Sequence, residues 1–127
     1  MINVIKFPDN TTTAFVRALG KFGITGDAED AIGGQLAVAV RPIRDVMPRQ
    51  GDSEFEALVN AIRDSALKIV DRGHGFTPDV AINLRNIDDA ETIINTVATV
   101  FPFDQEFKIK LLTLHRVKDR AFEIITE

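Results

Sequence analysis

The chain contains no cysteine, no tryptophan and no tyrosine, and its histidines number two. Without cysteine there is no disulfide, no thiolate nucleophile and no cysteine-based metal site. Serine is nearly as scarce, being limited to Ser53 and Ser65. Long apolar runs are missing too. The longest, Leu36 to Val40, is far too short to span a bilayer. Met-Ile-Asn-Val-Ile-Lys at the start lacks a basic region followed by an apolar segment, so it does not read as a signal peptide. Nor is there an excess of positive charge. Lys and Arg total 15 against 19 Asp and Glu, a net charge of −4, which argues against a nucleic-acid partner because phosphate binding needs a concentrated basic face. These absences fit a cytoplasmic protein with no membrane partner.

What is present is apolar side chain in regular spacing. Of the 127 residues 45% are hydrophobic, enough for a core in one domain or two small lobes. The firmest pattern runs from Asn86 to Glu127. Ala90, Ile93, Ile94, Val97, Ala98 and Phe101 recur at steps of three and four and mark one face of a helix. Asp88 is expected to cap it, with Glu91 reaching back as in a capping box. Pro102 ends it. Asp104 then opens a helix carrying Phe107, Leu111, Leu112 and Leu114, and a last helix carries Val117, Ala121, Ile124 and Ile125. Upstream, Ser53 with Glu56 reads as a second capping box. It starts the longest helix, with Phe55, Leu58, Val59, Ile62, Ala66, Ile69 and Val70 in one stripe and Gly73 as its stop. Thr77-Pro78 starts a short helix with Val80, Ala81 and Leu84.

Residues 1–48 read as β. Ile2, Val4, Ile5 and Phe7 form a strand, Pro8-Asp9-Asn10 a turn, and Thr11 to Leu19 a return strand. Gly20 and Gly23 are expected to break or bulge the chain around Lys21-Phe22. Asp27 to Asp30 is an acidic loop, Gly33-Gly34 a turn, and Gln35 to Arg44 a strand whose small apolar residues predict cover on both sides. The expected fold is α+β: a partial antiparallel sheet in residues 1–48, then a bundle of four to five helices in residues 49–127. The first strand starts with no polar lead-in, so the chain looks as though it begins partway through a larger sheet. Open strand edges of that kind predict pairing with a second copy, a strand-paired dimer.

Chemistry-bearing groups are few and scattered. Ser53 is placed for capping rather than attack. Ser65 lies inside the same helix. His74 and His115 fall in a loop and at a helix break, with no nucleophile pattern beside them. Asp88 and Asp89 read as a cap with favourable charge at a helix N-terminus rather than a metal or acid/base pair. Gly20-Lys21 fails the phosphate-loop pattern, which requires glycine where Phe15 stands and Ser or Thr where Phe22 stands. Gly33-Gly34 precedes a strand and is no dinucleotide fingerprint. No catalytic, cofactor-binding or metal residue is therefore assigned, and a small enzyme is the weakest reading. The nine phenylalanines remain. Phe22 and Phe76 in glycine-flanked loops, and Phe101 and Phe103 around Pro102, are the candidate contacts for apolar polypeptide. Phe101 and Phe103 also fall in phase with the neighbouring helices, which is a core position.

Taken in order, these motifs resemble a known family. Thr77-Pro78-Asp79-Val80, Asn86-Ile87-Asp88-Asp89-Ala90, Phe101-Pro102-Phe103, Lys108, Leu111-Leu112 and Asp119-Arg120 follow at the intervals of the N-terminal domain of Lon, the ATP-dependent protease also called endopeptidase La. Phe7-Pro8-Asp9-Asn10-Thr11 is similar to that family's Leu-Pro-Asp-Gly-Thr hairpin, and Gln35 to Arg44 to the last strand of its β-domain. The chain departs from the family at Val16-Arg17-Ala18, usually Val-Glu-Gly, and at Arg116, usually an Asp that starts the last helix. The family's first strands and first helix have no counterpart, so an excised piece of a longer protein is expected.

The resemblance implies a bacterial parent in which an ATP-dependent, magnesium-requiring AAA+ motor and a Ser-Lys dyad lie outside this segment. That parent would be a hexameric ring degrading misfolded and regulatory proteins. This segment would recognise unfolded or misfolded polypeptide substrates and support ring assembly, with no catalysis of its own. The competing reading is a free-standing interaction or adaptor module, which predicts a complete fold and one preferred partner.

Overall fold

The computed structural model describes residues 3–27, 37–73 and 75–127. Among them are four strands, β1 (Asn3–Lys6), β2 (Thr12–Phe15), β3 (Lys21–Asp27) and β4 (Val38–Ile43). Five helices follow: α1 (Ser53–Arg72), α2 (Pro78–Asn86), α3 (Ala90–Val100), α4 (Gln105–Thr113) and α5 (Val117–Thr126). The class is α+β, as the patterning predicts. The chain forms two compact units, 1–44 and 45–127.

In the first unit β1 and β2 make an antiparallel hairpin, with Asn3 opposite Phe15 and Lys6 opposite Thr12. Its turn forms as the residues dictate. The Asn10 amide donates to the Phe7 carbonyl (3.1 Å), the Asp9 carboxylate accepts from the Thr11 amide (3.0 Å) and hydroxyl (2.6 Å), and Asn10 takes φ of 65°. Asparagine tolerates that left-handed conformation. Those hydrogen bonds from Thr11 hold the Asp9 carboxyl below its ordinary value.

β3 and β4 make a second antiparallel pair, from Lys21 opposite Ile43 to Asp27 opposite Val38, with a bulge between Ile24 and Gly26. Three expectations change here. The return strand stops at Phe15 instead of reaching Leu19. Lys21 and Phe22 lie inside β3, and the irregularity falls three residues further on. β4 is not covered on both faces. Val38 and Val40 are 38% and 50% exposed. The expected Gly33-Gly34 turn, and the acidic loop beyond Asp27, lie outside the described residues.

The helical unit carries the core: Phe55, Val59, Ile62, Ala66, Leu84, Ile93, Ile94, Val97, Phe101, Leu111, Val117, Ala121 and Ile124 are all buried. α1 packs on α2, α3 and α5, and α3 also packs on α4 and α5. The expected stripes hold with two exceptions, Ile69 (50% exposed) and Leu112 (59% exposed). Gly73 caps α1 because the chain passes close to its own last turn. A Cβ there would meet the Ile69 carbonyl oxygen at 2.8 Å.

Two caps sit one residue from their expected places. α1 is capped by Asp52, which accepts from the Phe55 amide (3.0 Å), and Ser53 is its first helical residue. A carboxylate wins over the neighbouring hydroxyl because it also receives Lys118 at 2.8 Å. Lys118 in turn reaches Glu54 at 2.6 Å. The pairing with Lys118 lowers the Asp52 pKa, and Asp52 and Glu54 raise that of Lys118. α3 is capped by Asp89 instead of Asp88. Its carboxylate accepts from the Thr92 amide (2.8 Å) and hydroxyl (2.6 Å), so the Glu91 capping box does not form. Replacing Asp89 with alanine is expected to cost about 1 kcal/mol and Asp88→Ala close to nothing. Urea-unfolding midpoints of the two variants check this.

Residues 45–52 cross the helical unit as a strap. The Val46 amide donates to the His115 carbonyl (2.7 Å) and the Val117 amide to the Val46 carbonyl (3.0 Å), a parallel bridge. Assigning residues 45–48 to a β half therefore separates them from the unit that holds them. The strap's anchor is Arg120, 4% exposed. Its guanidinium donates to Asp45 Oδ2 (2.9 Å), Asn95 Oδ1 (2.7 Å) and the carbonyls of Leu111 (3.3 Å) and Leu114 (2.7 Å).

Candidate functional site

The four candidate phenylalanines separate into two groups. Phe76, Phe101 and Phe103 come together in the helical unit. Phe76 and Phe101 have centroids 5.2 Å apart, and Phe101 and Phe103 6.3 Å apart. A fourth ring, Phe107, extends the row at 5.0 Å from Phe103. Pro102 is what brings them together: it ends α3 at Phe101, so Phe103 turns back over the start of α4. Phe101 is 5% exposed and belongs to the core; its ring is committed to packing and cannot also be a surface contact. Phe76, Phe103 and Phe107 are half-buried against that core. The sequence pattern places Phe107 only on a helix face. Phe103 stands just before the Asp104 cap and Phe107 in the first turn of α4, so the residue entering the helix packs on its first turn.

Phe22 lies in the other unit, on a strand rather than in a loop, and is 61% exposed. Its register supplies neighbours that no loop position has. Phe22 stands opposite Pro42 and Ile24 opposite Val40. Strand side chains alternate between faces, so these four residues share one face of the β3–β4 pair. Ile24 is 72% and Val40 50% exposed, and Pro42 is exposed as well. The result is a contiguous apolar surface built from two strands. Isolated exposed apolar residues are ordinary; a cross-strand cluster of four is not.

The ionisable candidates stay apart. Ser53 and Ser65 lie in α1, His115 lies between α4 and α5, and His74 is outside the described residues. Among the described residues no three His, Cys, Asp or Glu side chains group where they could hold a metal ion. Gly20-Lys21 leads into a strand, whereas a phosphate cradle needs a helix N-terminus, so these residues do not fit a nucleotide phosphate. Among the described residues no helix is long and apolar enough to cross a membrane.

The chain is thus of α+β class, and its exposed apolar side chains gather on the β3–β4 pair, while its ionisable candidates stay apart. The chain belongs to the Lon family: the family model for the substrate-binding domain of the ATP-dependent protease La (LON) matches residues 1–127. It is similar to the Lon protease of Flavobacterium johnsoniae, 22% identical over 125 residues. It is likewise similar to those of Parabacteroides distasonis (23% over 127 residues) and Porphyromonas gingivalis (28% over 127 residues). Each match covers 98% of this chain and 15% of the relative, so the chain spans about 15% of the length of the curated relatives it matches. The relatives are bacterial and are ATP-dependent proteases by family; the part matched here is the substrate-binding domain.

Proposed function

We propose that this chain captures unfolded or misfolded polypeptide for degradation by a Lon-type protease, and that the β3–β4 face is the contact. The observation that carries this is the exposed cross-strand cluster of Phe22, Ile24, Val40 and Pro42. A protease's substrate is polypeptide, and an extended segment presents alternate side chains at the two-residue period of such a face. A flat apolar surface has no polar group to demand a sequence, so binding is weak and tolerant. The half-buried rings of Phe76, Phe103 and Phe107 are a secondary contact. Folded proteins hide the side chains this surface takes, which is what would distinguish damaged from native protein. Hexameric ring assembly, a cytoplasmic setting, and the ATP, magnesium and serine-protease chemistry of an AAA+ parent belong to the same reading. They are supported by the family match, and none of that chemistry is assigned to residues of this chain.

Fluorescence anisotropy tests it, with one labelled protein presented in native form and in reduced, carboxymethylated unfolded form. The unfolded form should bind preferentially. Phe22→Asp should weaken that binding by about tenfold or more, equivalent to about 1.4 kcal/mol. Equal affinity for the two forms would overturn the reading.

A further inference from the structure

Pro42 decides which edge of the β3–β4 pair can take another strand. Proline has no amide hydrogen, so Pro42 and Phe22, which stand opposite each other, cannot be a pair that exchanges two backbone hydrogen bonds. They are the alternate kind of pair, whose backbone groups point away from each other toward the two outer edges. Ile24 and Val40, two residues on and still ahead of the bulge, are of the same kind. The outer edge of β4 therefore lacks a donor at Pro42, and an edge of that sort is blunted against further pairing. The outer edge of β3 is complete: Phe22 and Ile24 each present an amide and a carbonyl there. Among the described residues β3 pairs with β4 alone. We propose that captured polypeptide adds to the outer edge of β3 as an antiparallel strand, bonded through the backbone of Phe22 and Ile24.

This mode rests on the reading of the β3–β4 face as the polypeptide contact, and it names what that contact selects. The two residues with outward backbone groups are also those whose side chains stand most exposed on the apolar face. A residue of the added strand directly opposite Phe22 points its side chain to that same face, and so does the residue opposite Ile24. The ligand is thus an extended segment with apolar side chains two residues apart and a free amide on each of those two residues. Proline at either place is excluded. Antiparallel order lets a single incoming residue use both backbone groups of Phe22, and it is the slightly more stable pairing. The regular edge ends at the bulge between Ile24 and Gly26. An edge this short suits a segment of unfolded chain rather than a second folded copy, because a stable interface between folded proteins buries about 1,000 Å² or more.

Amide N-methylation separates backbone pairing from side-chain contact, because it removes a donor and leaves the side chain in place. The probe is a fluorescein-labelled peptide, Ser-Thr-Phe-Thr-Ile-Thr-Ser, titrated with the 127-residue chain and read by anisotropy. Methylating the phenylalanine and isoleucine amides should weaken binding by at least about fivefold, the scale of one lost backbone hydrogen bond. Methylating the threonine between them, whose amide faces away from β3, should leave affinity unchanged. In amide exchange followed by NMR, the unmodified peptide should slow Phe22 and Ile24 and leave Val40, on the blunted edge, as it was. Equal binding of the two methylated peptides, or the reverse order, would overturn strand addition alone, as long as Phe22→Asp still weakens the unmodified peptide. No binding of the unmodified peptide, or none of that weakening in Phe22→Asp, would overturn the contact surface and this mode together. Phe22 and Ile24 amides already slow in the free chain at high concentration would give the edge to a second copy and overturn the mode as well.

Discussion

Replacing Arg120 with alanine is expected to destabilise the helical unit by about 3–5 kcal/mol, the range for removing one partner of a buried ion pair. The size follows from what is left behind. Asp45, whose side chain is 13% exposed, loses its counter-charge and still faces Glu91. The Leu111 and Leu114 carbonyls and the Asn95 side chain lose a donor each. The Leu111 carbonyl keeps the Leu114 amide and Asn95 is open to solvent, so most of the cost falls on Asp45 and the Leu114 carbonyl. Lysine does not restore the arrangement, because one ammonium cannot reproduce a planar fork serving four acceptors. The double variant Arg120→Met with Asp45→Asn should recover a large part of the loss, since it removes the stranded charge together with the cation. The alanine variant should also regain stability on acidification from about pH 7 to about pH 5, the opposite of ordinary acid destabilisation, because Glu91, already raised by burial and by Asp45, takes up a proton and ends the repulsion between the two carboxylates. Urea unfolding of the set at both pH values measures all of this. A loss below about 1 kcal/mol for Arg120→Ala would mean that solvent reaches the cluster and screens it.

Arg120 also shows where sequence reading ends. Its residue type belongs on a surface, yet its position does not: Val117, Arg120, Ala121 and Ile124 step by three, one and three along the buried stripe of α5. A charged residue on an apolar stripe was the available signal. Its partner Asp45 is 75 residues away, beyond any local pattern. The helices themselves were legible because a 3.6-residue period can be read from any window, and Ile93, Ile94, Val97 and Phe101 all went to the core. Their caps were legible only to within one residue. Asp52 and Ser53, or Asp88 and Asp89, offer adjacent acceptors, and the choice is made by Lys118 in one case and Thr92 in the other. The β half was least legible. A strand's partner is set by register, and nothing local in Lys21-Phe22-Gly23 says that Pro42 lies across from Phe22. Phe22, expected in a glycine-flanked loop, therefore stands on a strand with neighbours that its local sequence does not announce.

Phe101→Ala is the second large effect, an expected loss of about 3–5 kcal/mol, typical for truncating a buried phenylalanine to alanine. Phe101 closes α3, with its amide donating to the Val97 carbonyl at 3.1 Å, and its ring lies between those of Phe76 and Phe103. Truncation leaves a cavity under two half-buried rings, and both must either collapse inward or lose their packing. Phe101→Leu keeps most of the volume and should cost less than about 1.5 kcal/mol. The pair separates packing from recognition. If Phe101 acts only as the floor of the aromatic row, Phe101→Leu retains affinity for unfolded polypeptide while Phe22→Asp loses it, and calorimetric unfolding shows the reverse order of stability loss for Phe101→Ala and Phe22→Asp. Phe22 is exposed, so its substitution removes little buried contact. An affinity loss in Phe101→Leu as large as that in Phe22→Asp, with the fold intact, would move the contact surface to the helical unit and make the Phe76–Phe103–Phe107 row the place where polypeptide is gripped.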